Sequence, residues 1–197
     1  MKRLLLLSCC FITIMAAAQQ INEPFNFPVK PGTKEWAVLK TERDRFNAMQ
    51  IPGDLLSNMT THALVGSCLN FPAFGYITAY DNIQAGYIVL ASKFNGLTEL
   101  SKRNDAGKSL IEFYQIAGNK GFEPVQTNLD QLFWSIKLTW IELVLAQDNV
   151  IASMDKENKM CLLSIAQEKY NMKQLNVDFG NSFQSTAFLI GRHRSKP

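Results

Sequence analysis

Apolar positions recur with a helical period over most of this chain, and the pattern is clearest from Asn128 to Ala146. There Leu129, Leu132, Phe133, Ile136, Trp140, Leu143 and Val144 form one stripe with a repeat of about 3.6 residues. Trp134, Leu138, Ile141 and Leu145 form a second stripe, and Asn128, Gln131, Ser135, Thr139 and Glu142 fall on the narrow polar strip left over. A helix that is apolar over most of its girth is largely surrounded by protein. Lys137 and Glu142 interrupt it too soon for a membrane span.

Upstream, the proline-rich run from Gln19 to Gly32 predicts an extended lead-in. Thr33 can cap a helix to about Met49, with Trp36, Leu39, Phe46 and Met49 on one face and the charged run "KTERDR" on the other. The stretch "QIPGDLL" breaks it and starts a short helix. Thr60 caps the helix of "MTTHALVGSCLNFP", which Asn70-Phe71-Pro72 ends. After the aromatic stretch "AFGYITAY", Asp81 to Gln84 has the spacing of a capping box. The helix it starts carries Ile83, Tyr87, Leu90, Ala91 and Phe94 on one face and is expected to stop at Asn95-Gly96.

A short helix follows over Leu97 to Arg103, and Asn104 caps another that ends near Gly118. "NKGFEPVQT" is the longest plain loop. Asp148 and Asp155 can each cap a helix, the second running to about Tyr170, and "SFQSTAFLIG" fits helix better than strand. No alternating strand pattern lasts beyond a few residues. The predicted class is all-α, built as stacked antiparallel helix pairs, an irregular bundle or a short HEAT- or armadillo-like right-handed solenoid.

The ends change this picture. "MKRLLLLSCCFITIMAAAQQ" has a positive start at Lys2 and Arg3, a short apolar run and small residues at Ala16 to Ala18, the pattern of an export leader cleaved after Ala18. A lipid anchor at Cys9 is the weaker reading, because only four leucines precede the Ser8-Cys9 pair. The expected organisation is a leader over 1–18, the lead-in over 19–32, one helical domain over 33–192 and a basic tail over 193–197. Without Lys2 and Arg3, the twenty basic residues become eighteen against seventeen acids. A near-neutral body gives no electrostatic reason to expect nucleic acid or anionic lipid as a partner. Export places the chain in the periplasm or outside the cell, with no stable membrane span in the mature protein.

Candidate chemistry is sparse. An exported chain meets an oxidising compartment, so a disulfide between Cys68 and Cys161 is an expectation to test, although both sit in apolar helical runs where free cysteine packs as a small hydrophobe. His62 and Cys68 stand six residues apart. On one helix that separates their side chains by roughly 120° and about 9 Å along the axis, too far for a catalytic dyad. Glu142, set among Trp140, Ile141, Leu143 and Val144, is the best candidate for a desolvated catalytic acid of a glycan hydrolase, with Asp81 behind it. The simpler reading points Glu142 to water, or pairs it with Lys137 or Lys156. No local metal-ligand set is present, "NDAGKS" lacks the first glycine of a phosphate-binding loop, and no cofactor is implied. Phe71, Phe74, Tyr76, Tyr80 and Tyr87 crowd together with Asp81 and Asn82, as either a sugar- or peptide-binding groove or the packed joint between helix pairs.

The run "QIPGDLLSNMTTHALVGSCLNFPAFGYITAYDNIQAGY", continuing through "FNGLTELSKRNDAGKSLIEFY", resembles a group of exported, all-helical proteins of unknown function from Gram-negative gut bacteria. The resemblance covers roughly residues 36–114 and rests on the Ile-Pro after the first helix, the Thr-Thr helix, the Cys-Leu-Asn-aromatic-Pro end and the Phe-Asn-Gly turn. It implies compartment and fold and brings no activity with it. The expectation is an exported binding protein of the cell envelope, non-enzymatic, with a protein or glycan ligand. A glycan-directed hydrolase and an inhibitor or immunity-type protein are the alternatives.

Overall fold

The computed structural model describes residues 20–119, 128–175 and 182–195, the side chains of 118–119 and 128–131 excepted. The expected leader and most of the "NKGFEPVQT" loop lie outside these residues. Among those described, the regular structure is helical, with eleven α-helices, one 3-10 helix and a single isolated bridge. No described helix is long and apolar enough to cross a membrane.

The helix expected from Thr33 to Met49 is two helices, α1 (Lys34–Ala37) and α2 (Glu42–Ala48). Thr33 caps the first through the Trp36 amide and Thr41 caps the second through the Asp44 amide. Each threonine offers its amide partners a local alternative to continuing the helix, and the second cap inside "KTERDR" is the signal that periodicity alone overlooks. Next come α3 (Gly53–Asn58) and α4 (Thr61–Leu69), the latter capped by Thr60 as expected. Eight of the nine residues of α4 are buried, so this is a central helix surrounded by others.

"AFGYITAY" forms a 3-10 helix (Phe74–Ala79) packed against α5 (Ile83–Lys93). The cap of α5 is Asn82 rather than Asp81, its Oδ1 accepting from the Ala85 amide at 2.8 Å. Helix α5 stops just before Asn95-Gly96 as expected, and the same pair opens α6 (Asn95–Leu100), two residues earlier than the short helix expected from Leu97. The Asn95 amide group accepts from the Ile51 N–H at 3.1 Å and donates to the Ile51 carbonyl at 2.7 Å, so long-range bonds decide its place. Helices α7 (Ala106–Asn119), α8 (Asn128–Leu145) and α9 (Asp148–Ala152) follow. The Gly-Lys-Ser of "NDAGKS" lies in the first turn of α7, where the Gly107 amide donates to Ser153 Oγ at 2.9 Å. A side chain there would meet Met154, so glycine serves close packing and not a phosphate. The last elements, α10 (Lys156–Leu175) and α11 (Phe183–Arg194), resolve the C-terminal ambiguity as helix. The basic tail begins later than expected, since His193 is buried within α11.

One contiguous apolar core runs through all of this, which makes the arrangement an irregular bundle around α4 and α8. At one end Phe71 stacks on Phe94 at 4.1 Å between ring centroids, with Phe27 and Phe46 set around them at about 6 Å. Trp140 of α8 is fully buried, and its indole N–H donates to the Cys68 carbonyl at 3.0 Å, satisfying a last-turn carbonyl of α4. The lead-in is a strap over α4. Ile21 exchanges bonds with Asn58 and Thr60 at 2.9 Å each, and the Phe25 amide donates to Ser67 Oγ at 2.8 Å.

The tightest approach of α5 to the 3-10 helix is at Gly86, where a Cβ would stand 2.6 Å from the Ile77 carbonyl oxygen. Gly86→Ala is therefore expected to lower the unfolding free energy by about 1–3 kcal/mol, because backbone must move to make room. Gly75→Ala, with no atom in the way, should leave the urea midpoint nearly unchanged.

Candidate functional site

The polar strip of α8 turns inward at Glu142. Glu142 is fully buried, and its carboxylate is the meeting point of three other helices. Lys173 of α10 donates from Nζ to both carboxylate oxygens at 2.9 Å. Tyr114 of α7 donates its hydroxyl to Oε1 at 2.8 Å, and Thr186 of α11 does the same at 2.8 Å. Ser185 of α11 donates to Oε2. Lys173 is satisfied as well, reaching Thr186 Oγ1 at 3.0 Å and the Ser182 carbonyl at 3.2 Å. Neither Lys137 nor Lys156 is its partner, as the sequence had suggested.

Burial pulls the Lys173 ammonium below its ordinary value and Glu142 pulls it back up. Burial, then the same carboxylate, hold the Tyr114 phenol well above its own. Lys169, one turn before Lys173, lies over the Tyr114 ring at 5.0 Å. With four protein donors on its two oxygens, Glu142 has its hydrogen-bonding capacity taken up inside the protein, which argues against a role as the acid of a hydrolase. A pocket of about 170 Å³ approaches the cluster from the side of Ser185, lined with Thr139 and Ser135 of the same polar strip.

The remaining expected site residues divide. Phe71, Phe74 and Tyr87 are core, with Tyr87 packed on Trp140 at 5.6 Å between centroids, while Tyr76, Tyr80, Asp81 and Asn82 lie at the surface. The first three belong to the packed joint between elements, and the other four lie outside it. Cys68 and Cys161 are free: Cys68 is sealed inside α4, where burial raises its thiol, and Cys161 is exposed on α10 rather than packed. His62 is an exposed first-turn residue of α4, 3.6 Å from Glu112 and against the Phe113 ring. Among the described residues no three His, Cys, Asp or Glu side chains gather in a way that could hold a metal ion.

A groove of about 550 Å³ opens elsewhere, between the lead-in strap and the end of α4. That volume lies in the ligand-site range of roughly 300–1,000 Å³. Phe25, Phe27 and Lys30 line it from the strap, and Asn70, Pro72 and Phe74 from the turn after α4. Phe133 of α8 completes it, 56% exposed and edge-on to Phe74 at 5.5 Å. Lys137, one helical turn past Phe133, donates to Asn70 Oδ1 at 3.2 Å. Of the residues singled out for binding from the sequence, only Phe74 lines this groove. Phe25 and Phe27 were hidden in the proline-rich lead-in, and Phe133 in a stripe that reads as core.

No family model, curated protein or solved structure matches this chain. The groove and the Glu142 cluster therefore have to be read from their own chemistry.

Two tests follow from that chemistry. Glu142→Gln leaves Lys173 charged and buried without a counter-ion, and should destabilise the fold by about 3–5 kcal/mol. The pair Glu142→Leu with Lys173→Met should cost markedly less than Glu142→Gln alone, measured by urea unfolding. If Glu142→Gln unfolds at the parent midpoint, the carboxylate is not the tie described.

His193 supplies a pH dependence. Its Nε2–H donates to the Leu145 carbonyl at 3.2 Å, which leaves the Nδ1 lone pair buried and, among the described residues, without a partner. Burial depresses its pKa most; the bond to Leu145 opposes this, and the cations of Lys159 and Arg192 lower it further. The unfolded histidine takes its proton near pH 6.5 and the folded one resists, so stability is held above about 6.5 and lost as pH falls through it. His193→Gln keeps a donor for Leu145 and removes the proton site. The fall in urea midpoint between pH 7.5 and 5.5 should be smaller in this variant than in the parent.

Proposed function

We propose that this protein is an exported, helical binding protein of the cell envelope whose ligand lies in the groove between the lead-in strap and α4. The observation that carries this reading is the groove itself: about 550 Å³, walled by phenylalanine and proline, with a few polar groups at its edge. The leader pattern over residues 1–18 supports export, and the near-neutral mature chain supports a ligand other than nucleic acid. The group of exported helical proteins that the chain resembles fits the same compartment.

The strap also has the character of a binding wall. It is held at Ile21 and Phe25 by backbone bonds, so its ring side chains are positioned before any ligand arrives. An inhibitor or immunity-type protein would use the same groove for one tight partner, and a hydrolase would need an acid other than Glu142.

Immobilised residues 19–197 should retain a component of an envelope extract saturably, and Phe133→Ala should weaken that retention by about tenfold or more, since exposed aromatics at a groove carry much of its affinity. Circular dichroism of the variant checks its fold. Equal retention by both proteins would move the ligand away from the groove, and no saturable retention by the folded parent would overturn the binding reading.

A further inference from the structure

Among the described residues, the charged side chains at the groove are cations. Lys30 lines it, Lys137 stands at its edge through Asn70, and no aspartate or glutamate is among the lining residues. Lys137 is only partly exposed, and burial lowers its pKa, yet its single hydrogen-bond partner among the described residues is a neutral amide oxygen. None of the ion pairs among the described residues includes Lys137 or Lys30. A partly desolvated ammonium whose partner among the described residues is a neutral amide is a place where an incoming carboxylate gains more than it would in water.

Beside that cation the groove is apolar. Phe74 and Phe133 meet at 73°, making a corner with one exposed ring, and Pro72 adjoins it. Phe133 and Lys137 are four residues apart on α8, which puts their Cβ atoms about 5–6 Å from one another on one face. The spacing suits a ligand that carries a carboxylate and an apolar side chain on the same or adjacent atoms. A neutral sugar fits less well, because it brings no charge to the Lys137 ammonium. A peptide end fits better, because the groove's outer wall is open at Phe133 and lets the rest of a chain lead away.

We infer that the groove captures the free C-terminal carboxylate of a peptide ending in an aromatic or branched aliphatic residue, with Lys137 on the carboxylate and the Phe74–Phe133 corner on the side chain. This rests on the groove being the ligand site, and it adds the ligand's class and polarity. Asn70 is a positioning residue here: it holds the Lys137 ammonium at the groove's edge. Lys30, across the groove on the strap, provides a second cation for any acidic residue further along the peptide.

The test uses fluorescein-labelled Ala-Ala-Phe with a free carboxylate and the same peptide as its C-terminal amide, titrated with residues 19–197 and read by anisotropy. The acid should bind about tenfold more tightly than the amide, the worth of one charge-assisted bond in a partly desolvated site. Lys137→Met should erase that preference by bringing the acid down to the amide, and Phe133→Ala should weaken both. Raising salt from 50 to 500 mM should narrow the gap between the two peptides. Equal binding of acid and amide, or a preference that survives Lys137→Met, overturns the inference while leaving the groove as a binding site. Stronger binding of a peptidoglycan disaccharide or of decanoate than of the acid peptide overturns it as well. If no peptide binds to the folded parent, this inference fails by itself, and the extract retention described above judges the broader reading separately.

Discussion

A carboxylate removed from water needs donors, and Glu142 finds them on α7, α10 and α11. Everything on that side of the molecule follows from this requirement. The α10 and α11 helices pack on one another, α10 also on α7 and α11 also on α8, and Glu142 is the side chain at which all four meet. Replacing such a cluster with hydrocarbon is often neutral or favourable for stability, whereas removing one member is costly. Its physical consequence is therefore register. With Lys173 bound to both oxygens and Ser185 and Thr186 on the same carboxylate, a shift of α10 or α11 by one residue would bury a charge with no partner.

The other half is held by a different interaction. Phe27, Phe46, Phe71 and Phe94 come from the lead-in, α2, the turn after α4 and the end of α5, and they meet in one aromatic cluster. Such a cluster is not directional in the way a carboxylate is, but large rings bury much area and prefer edge or offset contacts. Trp140 joins the halves, with one face toward Tyr87 and its N–H on α4. The groove lies where the aromatic cluster runs out at the surface. Phe27 belongs to both, buried in the core and lining the groove, so the strap's folding and the groove's shape are one event.

Local chemistry in the sequence made much of the fold legible. Thr60 and Asp155 accept bonds at helix starts as their positions in the sequence predict, and α8 runs from Asn128 as its stripes require. These are interactions within one turn, and their partners are neighbours in sequence. Some departures were local, the second cap at Thr41 and the cap at Asn82 in place of Asp81, and others came from a distant partner. Asn95-Gly96 opens α6 as well as following α5 because Ile51 takes up the Asn95 amide, and His193 is drawn out of a basic tail by the Leu145 carbonyl.

The candidate site shows the same division. From the sequence alone came the all-helical class and the encircling apolar stripes of α8, because each depends on spacing along one helix. The destination of the polar strip did not, since Ser135, Thr139 and Glu142 would look the same facing water as facing α11. Tertiary structure decided that Glu142 is buried against Lys173, thirty-one residues away, and that Phe25, Phe74 and Phe133 share a groove. The reason is physical: a periodic pattern states which side of a helix is apolar, but a polar side chain is placed by whichever partner the packed chain brings to it, and that partner can stand anywhere in the sequence.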